Sequence, residues 1–99
     1  MNSMYLMAGQ LVNAFAERLP DRETGELRVV HRIQVMGGMP TRDGQAVRNE
    51  LDTLTVPDSE PYRHAVGRHV RIPIGMFSPA KGTVIKFVPK GAHPEIADA

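Results

Sequence analysis

The chain has 99 residues, 41% of them hydrophobic, and contains no cysteine. This length supports one domain with a modest core and is too short for two. The lack of cysteine excludes a disulfide framework and a thiolate metal site, and it fits a reducing compartment. Residues 1–10 lack a basic n-region, and no apolar run approaches the roughly 20 residues of a membrane span. We therefore expect a soluble, cytoplasmic protein without a membrane partner.

The formal net charge of +1 conceals an uneven distribution of charge along the chain. Residues 61–94 contain six basic residues and no acidic one, whereas residues 1–60 contain six arginines and nine acidic residues. A concentrated positive segment on strand-like sequence is typical of proteins that bind an anionic polymer such as single-stranded nucleic acid. A solvated basic face without a particular partner is the alternative interpretation.

The N-terminal third predicts two β-strands joined by a turn. Residues 5–16 form the first predicted strand, in which Gly9 marks a kink or a bulge. An amphipathic helix is the competing interpretation of this segment. Residues 20–25 carry turn chemistry, and residues 27–36 then alternate clearly between apolar and polar side chains, as a half-buried strand does.

The middle of the chain predicts a loop followed by a third strand. Residues 37–44 combine three glycines with a proline, which predicts a long, mobile hairpin loop. Residues 46–56 make the third strand, but their apolar residues do not alternate strictly. A bulge near Asp52 or Thr53 would restore the alternation.

One short helical segment is predicted at residues 58–66. Asp58 or Ser59 can cap its start, Pro61 suits its first turn, and Gly67 suits its C-terminal stop. This helix lies between the third predicted strand and the C-terminal third of the chain.

The C-terminal third predicts two further strands and a tail. The strands are residues 68–74 and 83–88, with a turn at 75–82 between them. Residues 1–91 then make a single domain, and residues 92–99 are expected to form a flexible tail.

The order of three strands, a short helix and two strands predicts an all-β fold. It is the order of the OB-fold, a small five-stranded Greek-key barrel that binds oligonucleotides on its central strands and loops. Other five-stranded barrels share this order of elements, so the strand count leaves them open.

Residue types suited to catalysis are present but are not arranged for it. The three serines lack the context of a nucleophile elbow, and the four histidines lack the spacing of a zinc site. Glu50 and Asp52 share a strand face, which a solvated surface or a salt bridge to Arg28 or Arg32 explains. We therefore predict no enzyme activity, no small-molecule substrate, and neither a cofactor nor a metal ion.

Basic residues that alternate with apolar ones on the predicted strands are the remaining candidates for a site. In proteins that bind single-stranded nucleic acid, such cations contact successive phosphates, and unstacked bases lie on aromatic faces. The chain has five aromatic residues, of which Phe15 and Phe87 are expected in the core, while Phe77 is the best candidate for exposure. The predicted nucleic-acid-binding residues are Arg28, Arg32, Arg42, Arg48, Arg68, Arg71, Phe77, Lys81 and Lys86.

The C-terminal third resembles the C-terminal segment of the proteins of a known family. Its matching features are Gly67, Val70, the break at 75–77, Gly82 and the closing segment 87–91. They are similar to those of the small single-stranded DNA-binding, or helix-destabilising, proteins of filamentous bacteriophages. The resemblance implies a homodimer that coats single-stranded DNA cooperatively and with little sequence preference during phage DNA replication.

The same resemblance implies that the hairpin between the second and third strands contacts DNA. In this chain the hairpin corresponds to residues 36–47, with Arg42 as the cation at its tip. It contains no tyrosine, so Met39 or Arg42 would have to replace tyrosine in stacking against bases.

Two functions remain open from the sequence. The first is a non-catalytic protein that binds single-stranded DNA in a basic groove. The alternative is a protein-interaction barrel, an accessory protein of phage or plasmid origin, which the scarcity of aromatic residues favours. A repressor of duplex DNA is weaker because no recognition helix is predicted.

Overall fold

A computed structural model describes residues 5–97. In chain order the elements are β1 (Tyr5–Pro20), β2 (Leu27–Pro40), β3 (Val47–Val56), α1 (Glu60–Arg63), β4 (His69–Ala80), β5 (Thr83–Phe87) and β6 (Glu95–Ile96). The strands are antiparallel, in the spatial order β3-β2-β1-β4-β5, and β6 lies beside β4. This is the Greek-key order. The predicted OB-like class, with one short helix between the third and fourth strands, is confirmed as a curled half-barrel.

β1 joins the two halves of the sheet because it pairs with two strands in succession. Its residues 5–10 pair with β4, and residues 10–20 pair with β2. The register shifts between Leu11 and Asn13, where a bulge bends the strand. The competing helical interpretation of residues 5–16 is wrong, and the observed bulge lies just beyond the predicted position at Gly9.

Gly9 allows β2 to approach the bend closely. A Cβ atom at this position would lie 2.5 Å from the carbonyl oxygen of Met36 and 3.0 Å from a methyl group of Val35. The carbonyl oxygen belongs to the β2 backbone, so it cannot move aside as the end of a side chain can. Glycine is therefore required here by close approach, since the backbone conformation of this strand suits other residues.

The core fills the inside of the curl, and α1 contributes to it. Tyr62 is 1% exposed, its hydroxyl donates a hydrogen bond to the Ala92 carbonyl oxygen at 3.3 Å, and burial raises the pKa of Tyr62. The short helix thus contributes an aromatic ring where the strands leave the barrel incomplete. The buried apolar residues are Leu11, Ile33, Val35, Leu54, Val56, Tyr62, Ala65, Val70, Ile72, Ile74 and Val88.

The helix is shorter than the predicted segment 58–66. Ser59 occupies the N-cap position, but its hydroxyl does not cap the helix and instead lies 2.9 Å from His31 Nδ1. Asp58 Oδ1 accepts a hydrogen bond from the Glu60 amide at 3.0 Å. Gly67 has a φ of +91°, which agrees with its predicted role in stopping the helical segment.

Two segments predicted as loops are largely strand. Residues 37–40 extend β2 and pair with residues 47–50 of β3, while residues 75–80 extend β4 and pair with β5. An antiparallel ladder needs only backbone groups, so glycine-rich sequence can continue it. We call residues 37–50 the β2–β3 arm and residues 75–87 the β4–β5 arm. They contribute to an elongated molecule of 49 × 36 × 26 Å.

The bulge predicted near Asp52 or Thr53 is absent. The register between β2 and β3 is unbroken from the His31–Val56 pair to the Pro40–Val47 pair. The broken alternation has another cause, because Leu51 points away from the core and is 53% exposed.

β3 and β5 face each other across an open seam. No backbone ladder joins these two strands in the described part of the chain. Lys86 Nζ lies 2.9 Å from Asp52 Oδ2 and bridges the seam with an ion pair. The half-barrel is therefore closed by side chains at this seam.

Part of the predicted tail 92–99 lies against the sheet. Residues 95 and 96 form β6 beside β4, and the Ala97 amide donates to the His69 carbonyl oxygen at 2.8 Å. Residues 98 and 99 lie outside the described residues. Within residues 5–97, no helix is both long and apolar enough to cross a membrane.

Replacing Gly9 with alanine is expected to destabilise the fold, because the new methyl group would collide with the β2 backbone. We expect a loss of about 1–3 kcal/mol in the free energy of unfolding, measured by urea denaturation. Gly37→Ala is the matched control. Its Cβ would lie 3.3 Å from the nearest backbone atom, the Ala8 carbonyl oxygen, so the loss should be smaller than in Gly9→Ala. Equal losses in the two variants would contradict this account of Gly9.

Candidate nucleic-acid interface

The outer face of β1, β2 and β3 carries side chains in rows that cross the three strands. Each row contains one residue from each strand, held opposite one another by the antiparallel register. These residues alternate with the core residues and therefore point away from the core. The rows are Phe15–Arg32–Thr55, Asn13–Gln34–Thr53 and Gln10–Met36–Leu51.

The middle row is held by side-chain hydrogen bonds. Asn13 Nδ2 donates to Gln34 Oε1 at 3.2 Å, and Gln34 Nε2 donates to Thr53 Oγ1 at 3.3 Å. The amide oxygen of Asn13 and the hydroxyl hydrogen of Thr53 remain available for other partners. This middle row therefore offers ordered hydrogen-bond donors and acceptors. On one side of it lies the row of Phe15 and Arg32, and on the other side lies the row of Met36 and Leu51.

Phe15 lies on the outer face, which corrects the expectation that it belongs to the core. It is half-buried and lies opposite Arg32 on β2. The bulge after Leu11 adds one residue to β1, so Ala14 instead of Phe15 takes the inward position opposite Ile33. Strict alternation from Leu11 would turn Phe15 inward, so the sequence pattern alone misplaces it.

Arg32 is held on this face by an acidic neighbour. Its Nη1 lies 3.0 Å from Glu17 Oε1, and both side chains are about one-third exposed. Its Nε is buried without a hydrogen-bond partner among the described residues. The guanidinium therefore keeps donor capacity beyond its one ion pair.

Several predicted cations form ion pairs with carboxylates. The expected salt bridges from Glu50 or Asp52 to Arg28 or Arg32 do not form. The ion pairs that do form are at least partly exposed, so each contributes little stability, and another anion can replace the carboxylate. The pairs are Arg32–Glu17 at 3.0 Å, Arg48–Glu50 at 2.8 Å, Arg71–Glu95 at 3.6 Å and Lys86–Asp52 at 2.9 Å.

Three predicted cations have no carboxylate within 4.0 Å among residues 5–97. Arg42 and Lys81 lie in the turns of the β2–β3 and β4–β5 arms, and Arg28 lies on the outer side of β2. Arg68 precedes β4, and its carbonyl oxygen accepts a hydrogen bond from the Leu11 amide at 3.0 Å. The predicted cations thus occupy several surfaces instead of one continuous groove.

The β4–β5 arm exposes two aromatic rings. Phe77, as predicted from its turn context, is 50% exposed, and its ring centroid lies 5.8 Å from that of Phe87 at an angle of 60°. The Phe87 ring also covers Gly75, where a Cβ atom would collide with it. Phe87 is 39% exposed, which corrects its expected place in the core, and Val88 supplies the buried side chain there.

The tip of the β2–β3 arm is ordered by hydrogen bonds to Asp43. Its Oδ1 accepts from the Thr41 hydroxyl at 2.7 Å and from the Gln45 amide at 3.0 Å. These bonds lower the pKa of Asp43, with the hydroxyl bond as the main cause. Gly44 has a φ of +75°, a conformation that favours glycine. The loop predicted as mobile is therefore a hydrogen-bonded turn that presents Arg42.

A cleft beside the seam is less suited to a polyanion. It has a volume of about 250 Å³ and apolar walls that include Met7, Val35 and Ile74. Glu50 and Asp52 also line it, and Lys86 there is already paired with Asp52. Negative charge at the rim disfavours phosphate, so this side of the barrel is not the candidate interface.

His31, Ser59 and Asp58 lie together but do not form a catalytic triad. Ser59 Oγ and Asp58 Oδ1 both approach the same ring nitrogen, His31 Nδ1, at 2.9 and 3.8 Å. A triad needs the two groups on different nitrogens, and Ser59 is 1% exposed. The described residues contain no group of three or more side chains suited to hold a metal ion.

The order of the β2–β3 arm tip should depend on the ionised form of Asp43. Because its pKa is lowered in the fold, its stabilising effect is present above about pH 4 and is lost as the pH falls through the folded-state value. Amide hydrogen exchange at Gln45 should therefore become faster in Asp43→Asn at neutral pH. Asp21→Asn, which alters the β1–β2 turn, is the control and should leave Gln45 unchanged.

No protein-family model, no curated protein and no solved structure matches this chain. The resemblance to phage helix-destabilising proteins therefore depends on the quoted residues and on the order of the elements. The geometry of the outer face and of the two arms remains as the basis for a function.

Proposed function

We propose that this protein binds single-stranded DNA without catalysis, along the outer face of β1, β2 and β3. The observation that carries the proposal is the set of three side-chain rows on an OB-like barrel. The rows recur about every 6.8 Å along a strand. Consecutive nucleotides of an extended strand can reach successive rows at this spacing. OB-folds bind oligonucleotides on this part of the barrel.

The row of Phe15 and Arg32 supplies the two contacts that a single strand needs. A guanidinium neutralises a phosphate, and an aromatic or flat apolar face supports an unstacked base. The row of Met36 and Leu51 provides a second apolar face, since Leu51 is 53% exposed. Stacking accepts every base, so this arrangement supports binding with little sequence preference.

The arms extend this contact beyond the barrel. Arg42 and Lys81 lie at the two arm tips, and Phe77 with Phe87 forms an exposed aromatic platform on the β4–β5 arm. Arg48, Arg68, Arg71 and Lys86 add positive charge on other surfaces, where a phosphate would compete with some of the existing carboxylate partners. Phage DNA replication is the setting that the family resemblance suggests for such a protein.

The homodimer implied by the resemblance belongs to the same proposal. Met76 and Val84 lie on the face of the β4–β5 arm opposite Phe77, beside Lys86, and they are 37% and 62% exposed. A second copy packed against these two apolar side chains would remove them from water. The aromatic face of the arm would then remain available to bases.

The alternative is a protein-interaction barrel, and exposed apolar residues on the arms favour it. Phe77, Ile85 and Phe87 could bind a different protein as well as a nucleobase. Under this alternative the arm would contact its partner in the absence of nucleic acid, and retention of that partner would be insensitive to nuclease.

Binding to a labelled oligothymidylate should weaken steeply with added salt. The logarithm of the association constant should fall with the logarithm of salt concentration with a slope of about −0.7 for each phosphate neutralised. Arg32→Gln should raise the Kd and reduce the magnitude of that slope by about 0.7, measured by fluorescence anisotropy at several salt concentrations. Single-stranded RNA and duplex DNA serve as competing ligands.

Arg63→Gln is the matched control for this experiment. Arg63 lies in α1, away from the outer face, and its Nε lies 3.4 Å from Glu60 Oε2. Its removal changes the net charge equally and should leave the slope unchanged. Absence of binding at low salt, or a flat salt dependence, would exclude the proposed function.

The role of the aromatic platform is separable from that of the cations. Phe77→Ala should weaken oligonucleotide binding by about 1–3 kcal/mol, as expected for one lost base stack, and leave the salt slope unchanged. If Phe77→Ala instead leaves the affinity unchanged and abolishes nuclease-insensitive retention of another protein, the protein-interaction alternative gains support.

Val84→Lys tests the homodimer. The added charge on this face of the β4–β5 arm should prevent a second copy from packing there and lower the molar mass measured by light scattering.

A further inference from the structure

A cationic notch lies where β3 separates from β2. The last paired residues of the two strands are His31 and Val56, after which Pro57 leads the chain away towards α1. β2 continues beyond this point, paired on its other side with β1. The space that β3 vacates is an open cleft of about 300 Å³.

The exposed edge of β2 supplies backbone groups to this notch. Residues 27–30 pair with β1 only, in the described part of the chain. In an antiparallel sheet, alternate residues direct both N–H and C=O away from a given neighbour. One of the two consecutive residues Val29 and Val30, which both line the cleft, therefore presents its backbone N–H and C=O to it.

Two arginines give the notch positive charge, and among the described residues no carboxylate lines its walls. Arg28 and Arg32 line it, together with His31 and Thr55. Arg32 directs Nη1 to Glu17, and within residues 5–97 Arg28 has no carboxylate closer than 4.0 Å. The other acids nearby are Asp21 and Asp58. The pKa of Asp21 is lowered mainly by hydrogen bonds from the Glu23 and Thr24 amides and to a smaller degree by Arg28, and Asp58 Oδ1 lies 3.8 Å from His31 Nδ1.

Two other clefts differ from the notch because carboxylates line their walls beside the cations. Glu50 and Asp52 accompany Lys86 in the cleft beside the seam, and Asp21 and Glu23 accompany Arg22 and Arg28 in a cleft at the β1–β2 turn. Carboxylates repel phosphate, whereas paired guanidinium groups bind it through charge-assisted hydrogen bonds. Of these three clefts, the notch is the one whose walls suit a phosphate group.

We propose that the notch is a phosphate-binding site in which Arg28 and Arg32 hold the phosphate oxygens and the Thr55 hydroxyl donates a hydrogen bond. The site adjoins the Phe15–Arg32–Thr55 row, so the phosphate of a strand on the outer face can enter it. The identification of that phosphate as part of DNA depends on the proposed function, whereas the affinity for phosphate does not.

The test is a titration of the ¹⁵N-labelled protein with inorganic phosphate at constant ionic strength, followed by amide chemical shifts. We expect saturable shifts confined to residues 28–32 and 55–57. Arg28→Gln should raise the Kd for phosphate at least about tenfold, because one charge-assisted hydrogen bond is lost. Arg22→Gln is the matched control, since Arg22 is an exposed arginine in the neighbouring turn and does not line the notch.

The source of the phosphate is identified with three probes. They are an oligonucleotide with a 5′-phosphate, the same oligonucleotide without it, and a dinucleoside that contains no phosphate. Stronger shifts with the 5′-phosphorylated oligonucleotide assign the notch to a strand end, and equal shifts assign it to an internal phosphodiester. Unsaturable or scattered shifts with inorganic phosphate, or equal effects of Arg28→Gln and Arg22→Gln, would overturn the notch. If the notch is overturned but the oligonucleotide still binds, the proposed function stands. If phosphate binds in the notch but no oligonucleotide binds, the notch stands and the proposed function is excluded.

Discussion

The rest of the structure depends on the bend in β1. β1 pairs with β4 along its first part and with β2 along its second part, and the bulge between Leu11 and Asn13 bends the strand between these two parts. Gly9 lets the β2 carbonyl at Met36 come close to the bend. Without this close approach β2 could not stay paired with β1 as far as Gln10, which also pairs with β4, and the curl of the sheet would be lost. The same bulge reverses which side chains face outward, so it sets the composition of the candidate interface.

Much of the fold could be predicted from the sequence, because the strands alternate and the breaks carry turn residues. Residues 27–36 and 68–74 illustrate this, since their buried positions fall on the expected side. The arms could not be predicted in the same way. Glycine and proline indicate a break in regular structure, but backbone pairing with a partner strand overrides that local preference at Gly37 and Gly38.

The candidate site was less predictable than the fold. Phe15 and Phe87 both face out, the first because of a bulge and the second because β5 extends beyond the core. The ion pairs are also invisible to a count of charge along the chain. Arg71 meets Glu95 and Lys86 meets Asp52, so a segment free of acids obtains carboxylate partners from strands outside it. Periodicity cannot report such contacts, because they depend on three-dimensional neighbours.

The seam between β3 and β5 links the stability of the barrel to its ionic surroundings. Where a backbone ladder would be insensitive to salt, the contact between Lys86 and Asp52 is a partly exposed ion pair, and dissolved ions screen it. Local opening at this edge therefore requires less free energy as ionic strength rises. The strand at this edge, β3, also supplies Leu51, Thr53 and Thr55 to the outer face. Opening of the seam therefore displaces one side of the candidate interface, so the shape of that interface depends on ionic strength.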